Sequence, residues 1–152
     1  MDNLCHTLAG AALARAGLGR RTALGTAALV LGANLPDLDV VSVFLGRTSD
    51  LAFRRGWTHG VLAMAAWPFV LTTLLLAWDR WRRRSRPGRA PVVPSALLLA
   101  SVIGVLSHPL LDLLNTYGVR VLMPFSEQWY YGDTLFIVDP WAWLLLGAGL
   151  AW

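Results

Sequence analysis

The sequence predicts an all-α fold, a polytopic transmembrane bundle of four to five helices formed by a single domain over residues 1–152. Three observations lead there. Hydrophobic residues make up 56% of the chain and charged residues only 14%, against about 25% charged in a typical soluble domain. Long apolar runs are separated by short turn-forming links. Every basic residue is arginine, and six of the 13 lie between Arg80 and Arg89, beside the longest apolar run. Such clusters next to apolar segments orient membrane helices.

The same numbers exclude other classes. Disordered chains are polar and poor in aromatics, whereas this one has mean hydropathy +0.53 and 8 tryptophans. A pI near 10.2 would suit nucleic-acid binding, but membrane orientation accounts for the arginines, so no nucleic-acid partner is expected. One cysteine, Cys5, leaves neither an internal disulfide nor a cysteine-based zinc site. The opening Met1-Asp2-Asn3 lacks the basic start of a signal peptide.

Five apolar segments follow in order. Leu4 to Gly17 is alanine-rich and ends at Gly17 and Gly19, residues suited to a helix C-terminus. It is short for a crossing, which takes about 20 residues. Thr22 to Leu35 stops at Pro36, and its Gly25 and Gly32 allow close helix packing. Val40 to Leu45 is a short apolar, interfacial extension. Thr58 to Trp81 is long enough to span, as is Pro94 to Asn115. Pro140 to Trp152 is apolar to the last residue; either the helix ends at the interface or the protein continues.

Nine arginines, including Arg15, Arg20, Arg21 and those between Arg80 and Arg89, fall on one side of this arrangement; Arg47, Arg54, Arg55 and Arg120 fall on the other. The positive-inside bias puts the nine in the cytoplasm. The expected location is thus a multi-pass protein of the bacterial inner membrane, its longer loops facing the periplasm.

The three histidines carry the chemistry. His6 starts the first segment, His59 starts the third and His108 lies near the end of the fourth. Asp37 and Asp39 follow the second segment, Asp112 ends the fourth and Asp139 starts the fifth. If helices alternate in direction, all of these reach the same membrane face. Imidazole and carboxylate are the usual ligands of zinc and other divalent ions, and ionisable groups at a bilayer are costly enough to mark a site. His108 and Asp112, spaced i, i+4, share one helical face. Pro109 sits either in a first turn capped by Ser107 or in a longer helix that it kinks.

The expected site is therefore a divalent metal, zinc or another first-row ion, held among His6, Asp37, Asp39, His59, His108 and Asp112. Asp37 or Asp39 would serve as catalytic base. Arg54, Arg55, Arg120 and Asn115 are the candidate substrate contacts, with Asn34, Thr58 and Thr116 as orienting donors. Plainer readings stand beside these. His6 also reads as interhelical polar glue, Asp37 as a helix stop, and Asp39 as a helix cap. His108 with Asp112 reads as a carboxylate-oriented histidine, Asp139 before Pro140 as an N-cap, and the arginines as snorkelling groups. Trp57, Trp129, Tyr130, Tyr131 and Trp141 read as an interfacial belt or as the lining of a lipid-entry groove.

Five ordered stretches carry a family pattern: Met1 to Thr7, Asn34 to Asp39, Arg55 to Gly60, Ser107 to Asp112 and Tyr130 to Thr134. They resemble the bacterial inner-membrane metal-dependent hydrolase family, YdjM-like or LexA-binding. The order His, Asp, His, His-x3-Asp is also similar to the first part of the zinc-dependent phospholipase C and S1/P1 nuclease ligand set. That resemblance implies His6, Asp37 or Asp39, His59, His108 and Asp112 as ligands of one or two zinc ions, with Asp133 or Asp139 completing the shell. The later histidines of that set and its amino-terminal tryptophan are missing here. The implied activity is metal-assisted hydrolysis of a phosphoester or other ester in a lipid or lipid-linked substrate. The alternative is a non-catalytic membrane adaptor with a structural metal, whose basic cytoplasmic loop binds a protein partner. A transporter is disfavoured because the ionisable groups gather at one end rather than in mid-span.

Overall fold

The computed structural model describes residues 1–45, 55–85 and 91–152. Among these residues there are five α-helices: α1 (Asn3–Arg15), α2 (Gly25–Asn34), α3 (Val61–Ser85), α4 (Pro94–Asp112) and α5 (Pro140–Ala151). A 3-10 turn over Leu18–Arg21 joins α1 to α2, and a longer 3-10 stretch over Leu35–Leu45 follows α2.

Two helices start where an aspartate supplies a partner for their unpaired first N–H groups. Asp2 caps α1, accepting from Leu4 N at 2.9 Å and Cys5 N at 3.2 Å. Asp139 caps α5, accepting from Trp141 N at 3.0 Å and Ala142 N at 3.2 Å, with Pro140 in the first turn. α4 has no side-chain cap and opens instead on Pro94, which has no N–H to satisfy.

α2 occupies the middle, packed against α1 on one side and α4 on the other. Close approach of backbones makes this possible. A Cβ on Gly104 of α4 would stand 2.8 Å from the Leu29 carbonyl oxygen of α2, and one on Gly32 would stand 3.0 Å from Val105 N. Around this crossing Ala28, Leu29, Leu71, Leu75, Leu97 and Ala100 form a buried apolar core. Thr72 of α3 donates to Ser101 of α4 across the same region at 3.0 Å, an interhelical hydrogen bond of the kind that ties membrane helices together.

Two helices are long and apolar enough to cross a membrane: 22 residues of α3 (Val61–Arg82) and 19 of α4 (Pro94–Asp112). Their outward faces are apolar and exposed, as at Phe69 (61%), Leu74 (60%) and Leu110 (64%). α1, α2 and α5 have 13, 10 and 12 residues, below the length needed for an unaided crossing. The expected all-helical fold is thus observed, with two helices of spanning length among the described residues.

α4 runs through Pro109 to Asp112, so the longer-helix alternative holds. Ser107 caps nothing; its hydroxyl donates to Gly104 O at 2.7 Å. α3 begins at Val61 rather than Thr58, because residues 55–60 form turns that carry His59 into the bundle.

Candidate metal centre

The helix directions bring Asp37, His59, His108 and Asp112 together at one end of the bundle. One ligand atom from each lies within 4.8 Å of all the others. Asp37 comes from the 3-10 stretch after α2, His59 from the turn before α3, and His108 and Asp112 from adjacent turns of α4.

Both imidazoles are held with their Nε2 atoms inward. His108 Nδ1 lies 2.6 Å from the Ala33 carbonyl oxygen. A carbonyl only accepts, so Nδ1 carries the proton and neutral His108 presents a lone pair at Nε2. For His59, the Thr58 hydroxyl donates to Asp39 Oδ2 at 2.9 Å. It therefore accepts from His59 Nδ1 at 2.9 Å, which leaves the His59 Nε2 lone pair inward too.

The two Nε2 atoms stand 3.0 Å apart. Asp112 Oδ2 is 3.3 Å from His108 Nε2 and 3.5 Å from His59 Nε2. Asp37 Oδ1 is 3.5 Å from the former and 3.7 Å from the latter. Two lone pairs and two carboxylate oxygens repel one another at these distances unless a proton or a cation lies between them. A tetrahedral shell with bonds of about 2.0–2.1 Å has ligand–ligand edges of about 3.3 Å, and the five measured edges bracket that value. Asp112 Oδ2 is moreover buried with no hydrogen-bond partner among the described residues. The donor set fits a divalent ion in chemistry and spacing.

The four are unequally accessible. The side chains of His59, His108 and Asp112 are fully buried, whereas that of Asp37 is 15% exposed. Asp37 therefore stands at the mouth of the cup.

The other expected ligands lie around this set. His6 stacks on His108, ring centroids 3.8 Å apart, and its Nε2 is 3.4 Å from Asp112 Oδ1. Both its ring nitrogens are buried without a hydrogen bond among the described residues. The Met1 amino group contacts the same Asp112 Oδ1. Asp112 thus faces the four-residue cup with one oxygen and His6 with the other.

Asp39 sits behind His59, 3.4 Å from Nδ1, and also accepts from Arg55 N at 2.8 Å. Burial pushes its carboxyl up, but hydrogen bonds from His59, the Arg55 backbone and Thr58 outweigh that and hold it below its usual value. Its place is an orienting one, outside the converging set. Asp139 is the α5 cap, with its Oδ1 committed to two backbone N–H groups. Asp133 is exposed in the irregular segment between α4 and α5, at φ 51.

The expected substrate contacts are also rearranged. Asn115 is buried behind Asp112. It donates to Asp112 Oδ1 at 3.1 Å and accepts from Tyr117 N and Gly118 N, both at 2.8 Å. Arg55 donates to Gly118 O at 3.1 Å and Met1 O at 3.4 Å, lies 3.4 Å from Asp112 Oδ1, and stacks on Tyr117. Both residues steady the ligand rather than face open space. Arg120 is buried over the Trp129 ring at 5.0 Å. It presses so closely on residue 56 that a Cβ there would meet its guanidinium at 2.8 Å, which explains the glycine. Arg54 lies outside the described residues. Asn34 donates to Thr7 at 3.1 Å and to Val30 O at 2.9 Å, tying α2 to α1. Thr116 is exposed.

Sequence reasoning missed the Ala33 carbonyl and the Met1 amine. The former had a signal: the last four carbonyls of a helix lack intrahelical partners, and Pro36 marks where α2 must stop.

No solved structure matches this chain. It is 24% identical over 128 residues to the uncharacterized protein YfhP of Bacillus subtilis (strain 168), covering 82% of this chain but only 35% of that protein. The chain thus spans about a third of the length of that relative. Residues 1–152 match the family described as YdjM inner membrane protein. With its two helices of spanning length and its buried Asp/His cup, the chain belongs to the YdjM inner membrane protein family.

Proposed function

We propose that this protein is a multi-pass inner-membrane hydrolase, dependent on a divalent metal and acting on a phosphoester or other ester of a lipid or lipid-linked substrate. One observation carries the reading: two inward imidazole lone pairs and two carboxylates converge at ligand spacing, with one member, Asp37, at an accessible mouth. Catalytic zinc sites keep three protein ligands and one open position. His59, His108 and Asp112 supply the closed part of such a shell. Zinc matches this nitrogen and oxygen donor set.

A divalent ion in this cup supplies Lewis-acid chemistry and an acidified water. Asp37, the most accessible of the four, would take the proton of the attacking water. Thr58, oriented by its bond to Asp39, holds the His59 ring in one tautomer, and the Ala33 carbonyl does the same for His108. Asn115 and Arg55 hold Asp112. The positive-inside bias turns the cup toward the periplasm.

The test is turnover of p-nitrophenyl phosphate esters and of phospholipid in mixed micelles by detergent-purified protein, with bound metal measured in parallel. Turnover that needs the metal and is lost in Asp37→Asn while metal is retained supports the reading. A protein that binds metal stoichiometrically yet turns over none of these esters is instead an adaptor with a structural ion.

A further inference from the structure

A groove of about 430 Å³ runs between the start of α3, the last turns of α4 and residues 121–122. Its walls are apolar: Val61, Met64, Leu106, Leu110 and Leu122, with His59 the one ionisable side chain lining it. The volume falls within the range of small-molecule sites, about 300–1,000 Å³. Four of these apolar side chains are exposed to a degree that water would penalise: Val61 (44%), Leu106 (44%), Leu110 (64%) and Leu122 (43%).

We propose that this groove seats one acyl chain of a membrane lipid, so that the lipid's ester or phosphoester linkage arrives beside His59. The occupant follows from where the groove lies. Its two long walls are the two helices of spanning length, so bilayer hydrocarbon is the medium that meets it. A polar or charged ligand finds no partner along it except at the His59 end. That end adjoins the cup, because His59 lines the groove and is also one of the four converging residues. A chain lying along Leu106 and Leu110 therefore has its head directed to the metal centre. The inference deepens the hydrolase reading and rests on it, by naming the part of the substrate that the protein grips.

A second groove serves as the internal control. It lies between α2 and α3, is larger at about 700 Å³, and is lined by Leu31, Leu71, Leu74, Leu75 and Trp78 with no member of the cup. Unselective lipid contact would fill both.

The full chain is reconstituted into vesicles of phosphatidylethanolamine and phosphatidylglycerol containing a phosphatidylethanolamine with a diazirine on one acyl chain. After photolysis, adducts are mapped by mass spectrometry, and metal content is measured on the same preparations. Adducts concentrated on the segments around Met64, Leu110 and Leu122, lost in Leu110→Trp with metal content unchanged, support the proposal. Leu122→Trp, on a different wall, should give the same loss and guards against a folding defect in the first variant. Adducts spread equally over both grooves, or undiminished by either tryptophan, overturn it. Groove labelling in a protein that holds no metal would leave the acyl seat standing and remove the hydrolase reading instead.

Discussion

His108 donates from Nδ1 to the carbonyl oxygen of Ala33 at 2.6 Å, which makes the packing of α4 on α2 part of the metal centre. The carbonyl is free because α2 ends one residue later, and it is within reach because Gly32 and Gly104 let the two backbones approach. Helix packing thus sets the histidine tautomer, and the tautomer decides which nitrogen faces the ion.

Gly104→Ala follows from that coupling. The new Cβ would meet Leu29 O at 2.8 Å and Ala28 O at 3.0 Å. Overpacking of this kind costs about 1–3 kcal/mol. Denaturation of the protein in detergent should show that loss, and metal titration should show weakened binding, although no ligand has been changed.

Asp39→Asn should weaken metal binding without abolishing it. Residues that orient ligating histidines typically contribute about 10- to 100-fold in affinity. The variant keeps the Thr58 contact in part but loses the carboxylate that faces His59 Nδ1 at 3.4 Å. Metal competition titration should therefore give a dissociation constant raised by about that factor. Asp112→Asn, which alters an oxygen of the cup itself, should lose more.

Asp139→Ala separates a cap from a ligand. Asp139 accepts from two N–H groups of the first turn of α5, so its loss should lower stability by about 1 kcal/mol. Metal content should be unchanged. Loss of metal would instead return Asp139 to the coordinating set.

Thr72→Val tests the tie between the two spanning-length helices. The Thr72–Ser101 hydrogen bond is buried on both sides, and such bonds in membrane bundles average about 0.6 kcal/mol. Unfolding in detergent should show a loss of that size, with metal binding intact because the pair lies away from the cup.

The helices were legible because their signals are local. Asp139 announces one N-terminus, Pro94 another, and Pro36 ends α2; the structure follows these marks within a few residues. The gathering of His6, Asp37, His59, His108 and Asp112 was legible from alternation of helix direction alone. What the sequence could not distinguish was ligand from orienting residue. Asp37 and Asp39 are two positions apart on one 3-10 stretch, and only the direction of each side chain separates the mouth of the cup from the back of His59. Asn115 and Arg55 were expected to face a substrate, yet their partners are the backbone of residues 1 and 117–118 and the carboxylate of Asp112. Those contacts depend on how the segment after α4 folds back, which no periodicity encodes.

The most direct test of the central claim is metal analysis of detergent-purified protein, comparing wild type with the His59→Ala, His108→Ala double variant. Helical circular dichroism of both samples checks that the fold survives. Four convergent donors predict a stoichiometric divalent ion in the wild type and none in the double variant. Equal metal content in the two, or no metal in either after reconstitution with zinc, would contradict the claim that this cup is built to hold an ion.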